Sequence, residues 1–471
     1  MSSLPIPINL GPNRDIDEVA LPNFNAFLYD GFVDSVGNVQ RRPGLVVFCN
    51  LSVGSGVDGL FWWDKQNVLI AICNGKSYSI NSNGDATDLG GDTLEVGYPV
   101  YFADFGDALY AANGGRILAI PDAGTPAYMA DGDAPTSVRA IADLDSILLA
   151  LEDDSEHVWY SQSGDATDWQ GLFISEQYKP DLAKIIGVKN GIIEILGTQS
   201  LAGWRNDGST PLVYDPSNTV DVGVGAPHSF RYCTGIDGQG NWYWLNHLSQ
   251  IVKMIGRQVV PVAPASLSKY LLSFSTVSDA IGGECNVKGI PHYILTFPTE
   301  NKTIAINLAT LNWSEFGYWN TNTALHDRFR GISYAWSNQW NLQFVGDHTS
   351  GLIYKMDPTV YQDNGHILNT LIRTGNIDRG TVSVTKKPKM LHFWLKKGNV
   401  VSQAAAAKLM VKWRDNGKTT WKTEREISLG VTGETGFHGT KSQPGGYDIR
   451  QYQFSLTDNA DLTFVRAEEE F

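Results

Sequence analysis

No stretch of the 471 residues approaches eighteen consecutive apolar side chains, so the sequence predicts no membrane-spanning helix. The opening Met1-Ser2-Ser3-Leu4-Pro5-Ile6-Pro7 has neither the basic region nor the apolar core of a signal peptide, which points to synthesis in the cytoplasm. Cysteine is scarce. Cys49, Cys73, Cys233 and Cys285 are scattered and form no CxxC pair, and Cys49 and Cys73 fall in strand-like runs, so reduced core thiols are expected. The nine histidines show no HxH or HExxH spacing, which disfavours zinc, and neither a GxSxG elbow nor a Walker loop occurs. Carboxylates such as Asp153-Asp154 and Glu315 lie in turns or strand ends, where solvated surface is expected rather than a glycosidase pair. The expectation is a protein that is not an enzyme, with no catalytic residue, cofactor or metal ligand. Sustained helical periodicity is also missing, apart from a short segment at Ser402 to Lys408.

What is present is a repeat. Seven times between Val57 and Tyr361 an apolar strand, a polar turn and a second strand recur. Val68 to Ile72 turns at Asn74-Gly75 into Ser77 to Ile80, and Leu109 to Ala112 turns at Gly114-Gly115 into Ile117 to Ile120. Later turns fall near Asp154, Gln199, His247, Glu300 and His348. A strand-rich repeat of roughly 40–53 residues is the signature of propeller blades. The fold class read here is therefore all-β: a six- or seven-bladed β-propeller followed by a C-terminal antiparallel β-sandwich or barrel. The division read from the sequence is an N-terminal arm over 1–50, a propeller over 51–365 and a C-terminal domain over 366–471. The run Leu45 to Cys49, just after Arg41-Arg42-Pro43-Gly44, is placed to close the ring by joining the last blade to the first.

Charge is unevenly spread over a net of −14. Residues 370–430 hold thirteen Lys and Arg against four Asp and Glu. The candidate site is the basic set Lys386, Lys387, Lys389, Lys396, Lys397, Lys408, Lys412, Arg414, Lys418, Lys422 and Arg425, read either as an electrostatic dock for nucleic acid or acidic subunits, or as a Lys-rich solvated strand edge. Within it, Asp415-Asn416-Gly417-Lys418 reads as a hairpin, with the Asp side chain folded onto turn amides and Gly supplying positive φ. Trp62-Trp63, Trp242-Trp244 and Trp336-Trp340 could stack on sugars, although blade packing is the preferred role.

Three segments together resemble the tail hub, or nozzle, proteins of short-tailed phages, also described as packaged-DNA stabilisation proteins. They are Arg41-Arg42-Pro43-Gly44 before the first blade, the run Val158-Trp159-Tyr160-Ser161-Gln162-Ser163-Gly164-Asp165-Ala166-Thr167-Asp168-Trp169, and the ending in which the Asp-Asn-Gly-Lys hairpin and Trp421 precede Tyr447-Asp448-Ile449-Arg450. The resemblance implies a virion structural protein in the tail, a homo-oligomeric, hexameric ring below the portal and adaptor. Its implied neighbours are the adaptor ring and a tail spike, fibre or needle, with double-stranded DNA passing through the lumen without sequence-specific binding. The alternative is a carbohydrate-binding or glycan-hydrolysing propeller acting as a receptor-binding tail component.

Overall fold

The computed structural model describes residues 3–6, 27–175, 178–179, 181–209, 212–236, 238–262, 265–400, 407–429, 437–442 and 444–471, so most of the segment Ser402 to Lys408 lies outside the described residues. Strands dominate, as the alternation of apolar and polar side chains and the density of turn residues require.

Seven four-stranded antiparallel arrays follow one another along the chain. The first consists of Val57–Trp63, Val68–Cys73, Lys76–Ile80 and Ala86–Asp88; the third consists of Val138–Leu144, Ile147–Glu152, His157–Gln162 and Asp165–Ser175. All seven turns read from the sequence fall between the second and third strands of an array. At the first of them Asn74 and Gly75 both have positive φ (51° and 75°), the geometry that suits an Asn-Gly hairpin. The seventh array takes three strands from Gly331–Ser337, Leu342–Asp347 and Leu352–Asp357. Its fourth is Gly44–Asn50, paired antiparallel with Leu352–Asp357.

Neighbouring arrays touch through their first strands, and glycine lets them approach. A Cβ on Gly59 would sit 2.8 Å from Val100 Cβ of the second array, and one on Gly187 would sit 2.5 Å from the Trp242 ring of the fifth. The seventh array meets the first where Ser333 Oγ donates to the Val57 carbonyl at 2.7 Å. At Gly282 the obstacle is backbone: a Cβ would lie 2.4 Å from the Ser229 carbonyl oxygen, which already accepts a hydrogen bond from the Tyr293 hydroxyl. Gly282→Ala is therefore expected to destabilise the protein by about 1–3 kcal/mol, because the overpacked peptide has no flexible side chain to move aside; chemical denaturation measures it.

The described residues among the first fifty, read above as an arm, are distributed over three sheets. Phe27–Tyr29 pairs with Thr370–Arg373 and, through Tyr29, with Glu315 of the sixth array. Val39–Arg41 pairs with Ala460–Glu470, and Gly44–Asn50 completes the seventh array. Among the described residues the C-terminal region has two sheets. One carries Val39–Arg41, Ala460–Glu470, Met390–Val400 and Phe437–Ser442; the other carries Thr370–Arg373, Arg450–Leu456, Lys408–Asp415 and Arg425–Ser428 and continues into the sixth array. Leu391, Phe393 and Phe464 of the first sheet and Val411, Trp413 and Phe454 of the second share one buried cluster. One helix, Ala265–Leu271, escaped the sequence reading because seven residues are too few to display a 3.6-residue period. No described helix is long and apolar enough to cross a membrane.

Candidate functional site: a cavity between the arrays, an arginine junction and a basic sheet

The first strands of the first, second, fifth, sixth and seventh arrays line a cavity of about 800 Å3. Aromatic side chains, among them Phe61, Phe102 and Trp336, share its wall with Asp58, Glu284 and Arg231. Sequence reasoning missed both carboxylates, since each sits singly in a strand-like run. Burial pushes the Asp58 carboxyl up to about 6 against a hydrogen bond from the Gly97 amide at 3.0 Å, and burial likewise raises Glu284 against the Thr234 amide. The folded state thus holds the Asp58 proton more tightly than an unfolded chain near 3.8, so this contribution to stability declines as pH rises from about 4 to about 6. Asp58→Asn is expected to raise the melting temperature at pH 7.5 and leave it unchanged at pH 4, as thermal scans at the two pH values would record.

Other sequence readings of the acids need correction. Glu315 is buried (2% exposed), with Lys302 Nζ 3.6 Å from its carboxylate, because its strand pairs on both sides, with Lys302–Asn307 and with Tyr29. Asp415 does not fold onto its own turn. Its oxygens accept from Arg450 Nε at 2.7 Å and Lys422 Nζ at 2.5 Å, while Asn416 accepts from the amides of Asp448 and Ile449. The hairpin and the Tyr447-Asp448-Ile449-Arg450 segment therefore dock on one another. Among the described residues no three His, Cys, Asp or Glu side chains are grouped so as to hold a metal ion. The four cysteines are buried free thiols.

Arg41 and Arg42 form a junction. The Arg42 guanidinium, fully buried, donates to Asp30 at 2.8 Å, to Asp363 at 2.6 Å and to the Gly317 carbonyl at 2.9 Å. Burial alone would raise the Asp30 carboxyl, but Arg42 and His326 hold it below the ordinary carboxylate value. Arg41 points the other way, into the C-terminal region, and donates to the carbonyls of Ala460 at 2.7 Å, Leu456 at 3.2 Å, Leu368 and Asp458. Burial lowers it to about 10, so it stays charged at neutral pH.

The basic set divides. Lys386 is buried and spends its ammonium on the carbonyls of Thr381 and Asp448. Lys408 pairs with Glu426 at 2.5 Å, and Lys422 with Asp415. Arg425 lies over the Trp413 ring at 4.8 Å. Lys387, Lys389 and Lys418 are exposed. Lys396 and Lys397 lie on Met390–Val400 opposite Thr463 and Leu462, their side chains outside the described residues. Lys412 and Arg414 do come together, around Trp421 at 5.7 and 5.1 Å, and Arg373 joins them at 5.1 Å. Arg373 was not singled out because only the register, in which Gln453 lies between it and Lys412, brings it there.

Of the six tryptophans considered as sugar platforms, Trp62, Trp63, Trp242 and Trp244 are buried and Trp340 packs against Trp62 and Phe48; Trp336, 37% exposed, is the exception.

Among solved structures the chain resembles the N-terminal domain of Nup159 (8% identity, 67% of this chain and 95% of that one, TM-score 0.38) and PorZ of Porphyromonas gingivalis (10%, 74% and 44%, TM-score 0.39). It also resembles the Pan2 WD40 domain of Neurospora crassa (8%, 67% and 94%, TM-score 0.39). At such values the likeness says nothing about function. No curated protein sequence matches the chain. Residues 22–361, which span the seven arrays, the strand Gly44–Asn50 and Arg41-Arg42, match one family along that whole length, and the chain belongs to it: the family described as Bacteriophage P22 Gp10, beta-propeller.

Proposed function

We propose that the protein is a virion structural component, the nozzle or hub ring of a short-tailed phage tail, which retains packaged DNA and passes it during ejection. Membership of a phage stabilisation propeller family over residues 22–361 is the observation that carries this reading. In it the seven arrays close into a seven-bladed propeller that serves as a wall element, and 366–471 form a contact domain. Copies of the chain, six in the ring, surround the DNA lumen together with the adaptor above and a spike, fibre or needle below. The cavity of one chain, at about 800 Å3, has the size of a small-molecule site and is not the DNA passage. An acidic remainder of the chain suits the lumen, because repulsion from phosphates lets DNA slide without sticking. The cationic cluster around Trp421 suits an acidic neighbouring subunit.

Electron microscopy of particles should find a ring of copies beneath one vertex; virions that lack the protein would refute the assignment. Charge reversal at Lys387 and Lys418, both exposed, then places the basic face. Lost tail assembly identifies a protein interface, and normal assembly with altered DNA retention identifies the lumen. No effect identifies a solvated edge.

A further inference from the structure

Two carboxylates belong to the wall of the cavity of about 800 Å3, and among the described residues no Lys, Arg or His forms an ion pair with either. The Gly97 amide occupies one oxygen of Asp58 at 3.0 Å, and the Thr234 amide one oxygen of Glu284 at 2.8 Å. The second oxygen of each has no hydrogen-bond partner among the described residues, and neither is sealed inside the protein. Arg231 is also in the wall, but its Nε donates to the Gly282 carbonyl at 2.9 Å and its guanidinium lies 5.2 Å over the Tyr101 ring. Ser333 and Gln343 are likewise spent, on the carbonyls of Val57 and of Ala335 and Phe344. The cavity thus offers negative charge and open acceptors. It would repel an anion, and a neutral ligand would leave both charges without a counterpart.

Much of the remaining wall is apolar. Phe61 and Phe102 lie 5.4 Å apart with their rings tilted at 33°, and Tyr232, Ile236 and Trp336 add exposed apolar side chains. Such rings suit both ammonium heads and the methylene groups between them. The strand Gly331–Ser337 stands between the two strands that carry the acids. Ser333 bonds the Val57 carbonyl next to Asp58, and the Tyr334 ring lies 2.2 Å from where a Cβ on Gly283, next to Glu284, would sit. Asp58 then turns to Gly97, ahead of the second array, and Glu284 to Thr234 of the fifth. Acids set apart in this way suit two cationic heads on one chain better than one shared cation. The geometry points to a binding site for a linear aliphatic diamine or polyamine, with separate ammonium groups on Asp58 and Glu284 and the methylene chain along the rings. The volume is within the range of small-molecule sites. This site stands whether or not the chain forms a tail ring.

Calorimetry on the full chain at physiological salt would test it with putrescine, cadaverine and spermidine, alongside butylamine, a blocked lysine and glucose. At least one of the first three is expected to bind once per chain, and butylamine, with a single head, at least about tenfold more weakly. Asp58→Asn and Glu284→Gln should each weaken that binding about tenfold or more, because a charge-assisted hydrogen bond is lost. Asp168→Asn, which removes an exposed acid outside the cavity, should leave it unchanged, since salt screens attraction to the general negative charge of the chain. The proposal is overturned if no diamine or polyamine binds, or if both cavity variants bind as the parent does. It is also overturned if Asp168→Asn weakens binding as much as Asp58→Asn, the mark of unspecific attraction. Butylamine or the blocked lysine binding as tightly as the diamines would assign the cavity to a single cationic side chain instead, and glucose displacing them would assign it to a neutral ligand.

Discussion

Arg42→Met should destabilise the protein by about 3–5 kcal/mol, the range found when one partner of a buried ion pair is removed and the other charge is stranded. Here two carboxylates would be stranded. Asp30 and Asp363 are 0% and 2% exposed, and both depend on the Arg42 guanidinium. The effect should be structural as well as energetic, because Asp30 follows the strand that pairs with Thr370–Arg373, whereas Asp363 also accepts the Leu45 amide at the start of the seventh array's fourth strand. Limited proteolysis should therefore cut Arg42→Met near residues 30–45 and 358–368 before the rest of the chain yields, and urea denaturation gives the magnitude. A triple change, Asp30→Asn with Asp363→Asn and Arg42→Met, removes the charges together and should recover a large part of the loss. Equal stability of Arg42→Met and the parent would show that water reaches the cluster.

Trp244→Ala is the other large effect, about 3–5 kcal/mol for emptying a fully buried indole site. The ring has no exposure, its N–H donates to the Gly223 carbonyl at 3.2 Å, and it meets Phe230 edge-on at 5.7 Å. It belongs to a cluster shared by the second to fifth arrays, so the cavity would open where several sheets converge. Trp244→Phe keeps most of the volume and should cost less than half as much. If alanine at 244 cost under about 1 kcal/mol, these arrays would pack independently of one another.

Much of this is legible in the amino-acid sequence. A hairpin is local, and Asn74-Gly75 or Gly114-Gly115 between apolar runs announces itself because only certain residues accept the turn's positive φ. That Leu45 to Cys49 would lie beside the last array followed from needing a strand to complete it. What could not be read were pairings between distant segments. Glu315 looked like a strand end, and nothing local to it says that Tyr29 will lie alongside. Asp415 looked like a turn acid, and its real partner, Arg450, is supplied by another strand. Asp58 and Glu284 were single carboxylates in separate repeats, and only the packing of the arrays against one another gives them one cavity. The Trp-Tyr-Ser segment was visible as a motif; that its tyrosine hydroxyl is buried without a hydrogen-bond partner among the described residues was not.

Gly44–Asn50 is made early and paired late. During synthesis this strand must wait, with its ladder groups open, until Leu352–Asp357 has been translated, and Val39–Arg41 waits longer still for Phe464. A chain interrupted anywhere between keeps an unpaired edge at its front and no partner for it, an arrangement that favours pairing with another copy or recognition by a chaperone. Synthesis of those distant segments thus acts as a timer: Gly44–Asn50 and Val39–Arg41 become fully paired, and so rigid, only once Leu352–Asp357 and Ala460–Glu470 exist.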